Sequence, residues 1–164
     1  MNKSFFQEIA NYNIWANTIV HSWLNDLSED QWNSPLVSSF GSIGATALHI
    51  VAAESIWLDR LNQLESPIWL PNTIKHPIQE MTLASWKKSS SGILKFVNTM
   101  NDPNLNETLT FKRINGEINS MKIYHVLAHI FNHSTYHRGQ LTTMCRQVGY
   151  ENVGSTDMLG FFRK

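Results

Sequence analysis

The chain has 164 residues and a mass of 18.8 kDa, a length that suits one domain with a core needing no covalent staples. Hydrophobic residues make up 42% and aromatic residues 11%, which excludes a disordered or collagen-like chain. Thirteen Lys and Arg balance thirteen Asp and Glu, and the pI is near 7.1. This argues against nucleic-acid and membrane partners, because a broad nucleic-acid surface or a polybasic anchor needs a basic excess. The one cysteine, Cys145, excludes an intramolecular disulfide and a cysteine-based zinc cluster. The N-terminus lacks an apolar leader core, and the charge-free run 31–53 is too polar for a bilayer span. The expectation is a soluble cytoplasmic protein.

In chain order, apolar residues from Phe5 to Leu27 step by three to five and predict a first helix over 2–27. A polar loop follows, holding Pro35. Ser42 is placed to cap a second helix over 43–64. The connection 65–81 carries three prolines; loops of this length are uncommon and often act as lids or binding loops. Trp69 and Ile74 are expected to pin it. Thr82 is read as the cap of a third helix over 83–100, stopped by Asn101-Asp102-Pro103. Residues 109–121 change to a period of two, and Asn115-Gly116 signals a type I′ turn in a hairpin of two to four residues a side. A fourth helix spans 120–148 and ends at Gly149. The tail 150–164 is expected to be partly ordered. This order predicts an all-α fold, an antiparallel four-helix bundle with a short β-hairpin before the fourth helix, in one domain over 1–164.

Four of the seven histidines, His125, His129, His133 and His137, recur every fourth residue of the last helix. Residues at i and i+4 share a face, so two adjacent rungs can reach one metal ion. Each step of four drifts by about 40° around the helix, so all four cannot. Spacing alone does not choose the pair. A third ligand is expected from a facing helix, with His49, Glu54 and His21 as candidates. His49 is preferred because its stretch carries no charge to solvate it, and a buried neutral imidazole needs a partner. Three neutral imidazoles would leave an ion's charge intact and its centre open, the arrangement of catalytic rather than structural zinc. Zinc and nickel lead the expected divalent metals, and manganese, iron or cobalt could fill the same set. The metalloprotease HExxH, the GxSxG elbow, a phosphate-binding loop and a dinucleotide fingerprint are all missing. Cys145 reads as a small buried filler.

The stretches YNIWAN (12–17), FGSIGATALHIVAAESIWLDRL (40–61), HIFNHSTYHRGQL (129–141) and the tail STDMLGFFRK (155–164) together resemble the bacterial DinB/YfiT-like metal-dependent superfamily, which is distinct from the DNA polymerase sharing the label. The resemblance runs over nearly the whole chain. It implies a metal held by His49, His133 and His137, and places His129 as a neighbour and His125 near the hairpin. Gly139 is read as permitting close helix approach, and Arg138 as pairing with Asp157. By analogy with characterised members, it implies a metal-dependent transferase that activates a low-molecular-weight thiol, such as bacillithiol or mycothiol, against an electrophile in stress response or detoxification. Tyr12, Trp69, Tyr136 and Arg138 are candidates to line its pocket. The alternatives are a metal-dependent hydrolase, for which Glu54 is the core-helix candidate base, and a non-enzymatic metal- or small-ligand-binding stress protein. A small-molecule substrate is the expected partner, and homodimerisation through apolar helix faces is compatible with Trp15 and Trp23, although a core role for both is favoured.

Overall fold

A computed structural model describes residues 2–65 and 67–163. Met1, Ser66 (inside the expected 65–81 connection) and Lys164 (the last residue of the tail motif) lie outside the described residues. Helix α1 (Lys3–Asn25) is opened by Asn2, whose side chain accepts from the Phe5 N–H. A short α2 (Glu29–Asn33) stands where a plain loop was expected. Ser28 and Gln31 close a reciprocal capping box, and buried Trp32 donates its indole N–H to the Pro77 carbonyl at 2.8 Å. Helix α3 (Ile43–Leu61) begins at Ser42 as predicted. One 3₁₀ turn (Leu70–Asn72) lies in the following connection.

Helix α4 (Gln79–Thr99) starts ahead of Thr82. Thr82 is not its cap: the hydroxyl donates back to the Ile78 carbonyl inside the helix at 2.8 Å. Helix α5 (Asp102–Leu105) leads into β1 (Thr108–Lys112) and β2 (Ile118–Lys122), which pair antiparallel with Thr108 opposite Lys122. The turn is not the predicted two-residue one. The Gly116 N–H donates to the Arg113 carbonyl at 2.9 Å and the Arg113 N–H to the Glu117 carbonyl at 2.8 Å. Gly116 has φ of +91°, so Asn-Gly closes a longer turn whose left-handed position glycine fills without strain. Helix α6 (Ile123–Gln147) follows directly, and α7 (Met158–Phe162) docks Phe161 on Tyr12 and Trp15. Trp23 is buried and Trp15 is covered by the chain's own tail. The chain is thus mostly helical with one small sheet. None of its described helices is long and apolar enough to cross a membrane.

The long helices pack in a ring, α1 on α4, α4 on α3, α3 on α6 and α6 on α1. Their directions correct the antiparallel expectation. Gln7 bonds Asn98 and Asn17 bonds Ser90, so α1 and α4 are antiparallel. Thr46 meets Met144 and Trp57 meets His129, so α3 and α6 are antiparallel too. However, Val51 shares one apolar cluster with Leu83 and Trp86, and Leu61 another with Ile93 and Val97, so α3 runs parallel to α4. Phe6 clusters with Val126 and Leu24 with Leu141, so α1 runs parallel to α6. Parallel neighbours need a long return. The connection 62–78 covers the length of α3, about 28 Å at 1.5 Å per residue, because α4 must begin at the end where α3 began.

Between the two apolar clusters lies a buried polar layer. The Glu54 carboxylate accepts from Asn13 Nδ2 (3.0 Å), Ser134 Oγ (3.0 Å), Ser89 Oγ (2.9 Å) and Ser90 Oγ (2.6 Å). Arg138 donates to Asn13 Oδ1 at 2.5 Å, Asn17 Oδ1 at 2.9 Å and Thr135 Oγ1 at 2.8 Å. Asn13 therefore bridges a buried carboxylate and a buried guanidinium.

Breaking one member of such a layer leaves a charge without partners. Asn13→Leu is expected to lower stability by about 3 kcal/mol, and adding Arg138→Met should recover a substantial part, as read by a urea double-mutant cycle. A second outcome concerns His21, which sits edge-on to Trp86 at 4.8 Å with a buried Nε2 that has no hydrogen-bond partner among the described residues. Burial, and then Lys87, hold its pKa down to about 4. The unfolded chain takes up this proton near pH 6.5 and the folded chain refuses it, so stability falls as pH drops from about 6.5 to 4. His21→Phe should flatten the stability–pH slope in that window by up to about 1.4 kcal/mol per pH unit, the value for one proton.

Candidate metal centre

Where α3 and α6 cross, His49 faces two rungs of the ladder. His49 Nε2 lies 3.0 Å from His133 Nε2, which lies 3.1 Å from His137 Nε2. The three donor atoms are all within 4.8 Å of one another. Two nitrogens each ~2.1 Å from one ion are ~3.0 Å apart at a right angle and ~3.4 Å at the tetrahedral angle. The His49–His133 and His133–His137 spacings fall in that range, so these three side chains could hold a metal ion.

The chemistry of the set points the same way. Gln140 Oε1 sits 2.7 Å from His137 Nδ1, so it accepts that N–H and leaves Nε2 as a lone pair. Burial, reinforced by His137, holds the His49 pKa down to about 4. Burial, then His137, His49 and His129, hold His133 down to about 3. At neutral pH these two imidazoles are uncharged and have a lone pair to give. Converging lone pairs repel one another unless a cation lies among them.

The wall is aromatic. Phe40 stacks on His49 with centroids 4.0 Å apart and planes at 23°, and meets His137 edge-on at 5.5 Å. Trp69, from the long connection, is edge-on to His49 at 5.7 Å. Tyr136 touches the His137 ring at 4.9 Å and is 63% exposed, which leaves it on the rim. Trp69 and Tyr136 were legible as candidates; Phe40 was missed. Its only sequence signal is its place two residues before the Ser42 cap, which aims it at the first turns of α3.

The remaining expectations divide. His129 lies one turn from His133, ring centroids 5.8 Å apart, and packs on Trp57. His125 is exposed beside Tyr124. His21 faces Trp86 and Glu54 faces the polar layer, so neither joins the cluster. Arg138 does not pair with Asp157, which caps α7 by accepting from the Leu159 N–H at 2.8 Å; Arg138 is taken up by Asn13, Asn17 and Thr135. Tyr12 is buried with its hydroxyl on the Thr156 carbonyl, so neither Tyr12 nor Arg138 lines this site. A Cβ at Gly139 would meet nothing within 4 Å, so that glycine does not serve close packing; Gly92 does, since a Cβ there would collide with Leu58. Cys145 is buried and its thiol is pushed up to about 11, an inert filler as expected.

Comparison with known proteins agrees with this picture. The DinB family model matches residues 1–163. Protein DinB of Bacillus subtilis (strain 168) is 28% identical over 156 residues, covering 91% of this chain and 89% of the relative. Among solved structures, a DinB-like protein from Bacillus cereus ATCC 10987 superposes with a TM-score of 0.73 at 19% identity, covering 94% of this chain and 97% of the other. That likeness speaks to the fold.

Gln140→Leu removes the acceptor that orients His137 while keeping its bulk. It is expected to weaken zinc or nickel affinity about 10- to 100-fold, against complete loss in His133→Ala, both measured by competition with a chromophoric chelator.

Proposed function

The chain belongs to the DinB family, and from that membership together with the converging imidazoles we propose a divalent transition-metal centre held by His49, His133 and His137, serving a transferase that activates a low-molecular-weight thiol against an electrophile. The observation that carries the metal part is the meeting of three Nε2 atoms from two helices. The thiol chemistry is supported by the resemblance to thiol-using superfamily members.

A bound divalent ion would supply positive charge that lowers a thiol's pKa, so that the nucleophilic thiolate is populated near neutral pH. The protein's own groups account for the rest. Gln140 fixes the His137 tautomer. Phe40 and Trp69 both pack on the His49 ring and narrow the access of water. Tyr136, exposed beside His137, places a phenol at the rim where it could hydrogen-bond a substrate. Three imidazole ligands would leave the ion's charge uncompensated by the protein, the arrangement of catalytic rather than structural sites. Hydrolysis is less well supported. It asks for a carboxylate base beside the centre, and Glu54 already accepts four hydrogen bonds within the core.

The test is conjugation of monochlorobimane by protein reloaded with zinc, nickel, manganese, iron or cobalt, using bacillithiol, mycothiol and cysteine as thiols. Rate acceleration is expected with at least one metal–thiol pair, with loss in His133→Ala and in chelated protein. Metal uptake without acceleration for every pair would support a non-enzymatic binding protein instead, and thiol-independent ester cleavage would support the hydrolase.

A further inference from the structure

A second cleft, of about 600 Å³, opens beneath the hairpin on the flank of α3 and α6. Its walls include Trp57, Arg60, Phe111, Arg113, Asn119 and His129, and no acidic side chain is among the described residues lining it. The volume is in the range of small-molecule sites, and the mix of apolar walls with a few polar groups is typical of them.

Arg60 is the unusual member. It is about 9% exposed, with its guanidinium 4.6 Å from the Trp57 ring centroid and 5.1 Å from that of Phe111. Among the described residues its one hydrogen bond runs from Nη2 to the Lys112 carbonyl at 3.0 Å, and its Nε is buried without a partner. No ion pair of Arg60 exists among the described residues; Glu117 pairs with Arg113 at 2.9 Å. Burial and then the charge of Arg113 both disfavour its ionised form. A buried cation with no counter-charge and an unused donor is costly. The protein keeps one here, next to a second cation and under two aromatic rings.

We infer that this cleft binds a carboxylate-bearing small molecule with a planar apolar body. The carboxylate would meet the cleft-facing side of the Arg60 guanidinium with Arg113 nearby, since a guanidinium fork matches a carboxylate in plane. The body would lie against Trp57 and Phe111, with Asn119 offering a further amide. The inference rests on the cleft alone and does not depend on the metal reading.

The experiment is calorimetric titration of the metal-free full chain at low salt with 2-naphthoate and, separately, with its neutral counterpart 2-naphthamide. The expected result is one saturable naphthoate site, at least tenfold tighter than the amide. Arg60→Gln and Arg113→Gln should each weaken naphthoate at least fivefold and leave the amide unchanged. Arg113 is on the surface, so its variant decides the matter if Arg60→Gln does not fold. Equal affinity for acid and amide, no saturable binding at millimolar naphthoate, or naphthoate binding unaffected by Arg113→Gln would each overturn the inference.

Discussion

A single carboxylate ties the four long helices together. Glu54 belongs to α3, and its four hydrogen-bond donors come from Asn13 on α1, Ser89 and Ser90 on α4, and Ser134 on α6. Apolar packing is non-directional and tolerates sliding, whereas four hydrogen bonds to one buried group do not. The layer therefore sets the axial register of the ring. This matters for the histidines because Ser134 follows His133 directly, and Glu54 lies one and a half turns beyond His49. The register that satisfies Glu54 also brings His49 opposite His133 and His137. Buried polar groups cost stability relative to an apolar core, and here that cost is matched by a defined alignment of the two helices that carry the histidine cluster.

The connection 62–78 is the second constraint. Because α3 and α4 run parallel, the chain must travel back along the bundle before α4 can start. That journey passes the three-histidine cluster, and Trp69 comes to rest against His49. Leu70, rather than Ile74, supplies the packing that holds the segment: Leu70 lies against the apolar cluster at that end, while Ile74 is 38% exposed. A loop whose length topology demands thus contributes a wall to the site.

Much of this was legible in the residues and some was not, for physical reasons. The long helices, the Ser42 cap, the Gly149 stop and the hairpin follow from local rules, since periodicity and capping are decided within a few residues. The ladder was legible as a metal motif, but spacing left its rungs equivalent, and the family resemblance separated them. The direction of α3 relative to α4 was not legible, because nothing local distinguishes a long lid from a long return path. Nor were the asparagine partners of Arg138, Asn13 and Asn17, which lie more than 100 residues away on α1; a neutral asparagine gives no charge signal, so Asp157 looked the better match. The short helices α2 and α5 did have a signal, Ser28 with Gln31 and Asn101 with Asn104 at capping-box spacing, which polar composition concealed.

The histidine ladder shows how one repeat serves several surroundings. Each step of four residues turns the side chain by about 40°. His133 and His137 straddle the direction of α3 and meet His49. One step earlier, His129 has rotated onto Trp57 and forms part of the hairpin cleft. A further step puts His125 in solvent beside Tyr124. His129 consequently touches both places, packed near the His133 ring on one side and lining the hairpin cleft on the other. Anything that shifts α6 along its axis moves both sites together. The buried carboxylate that holds α6 in register thus governs the geometry of both.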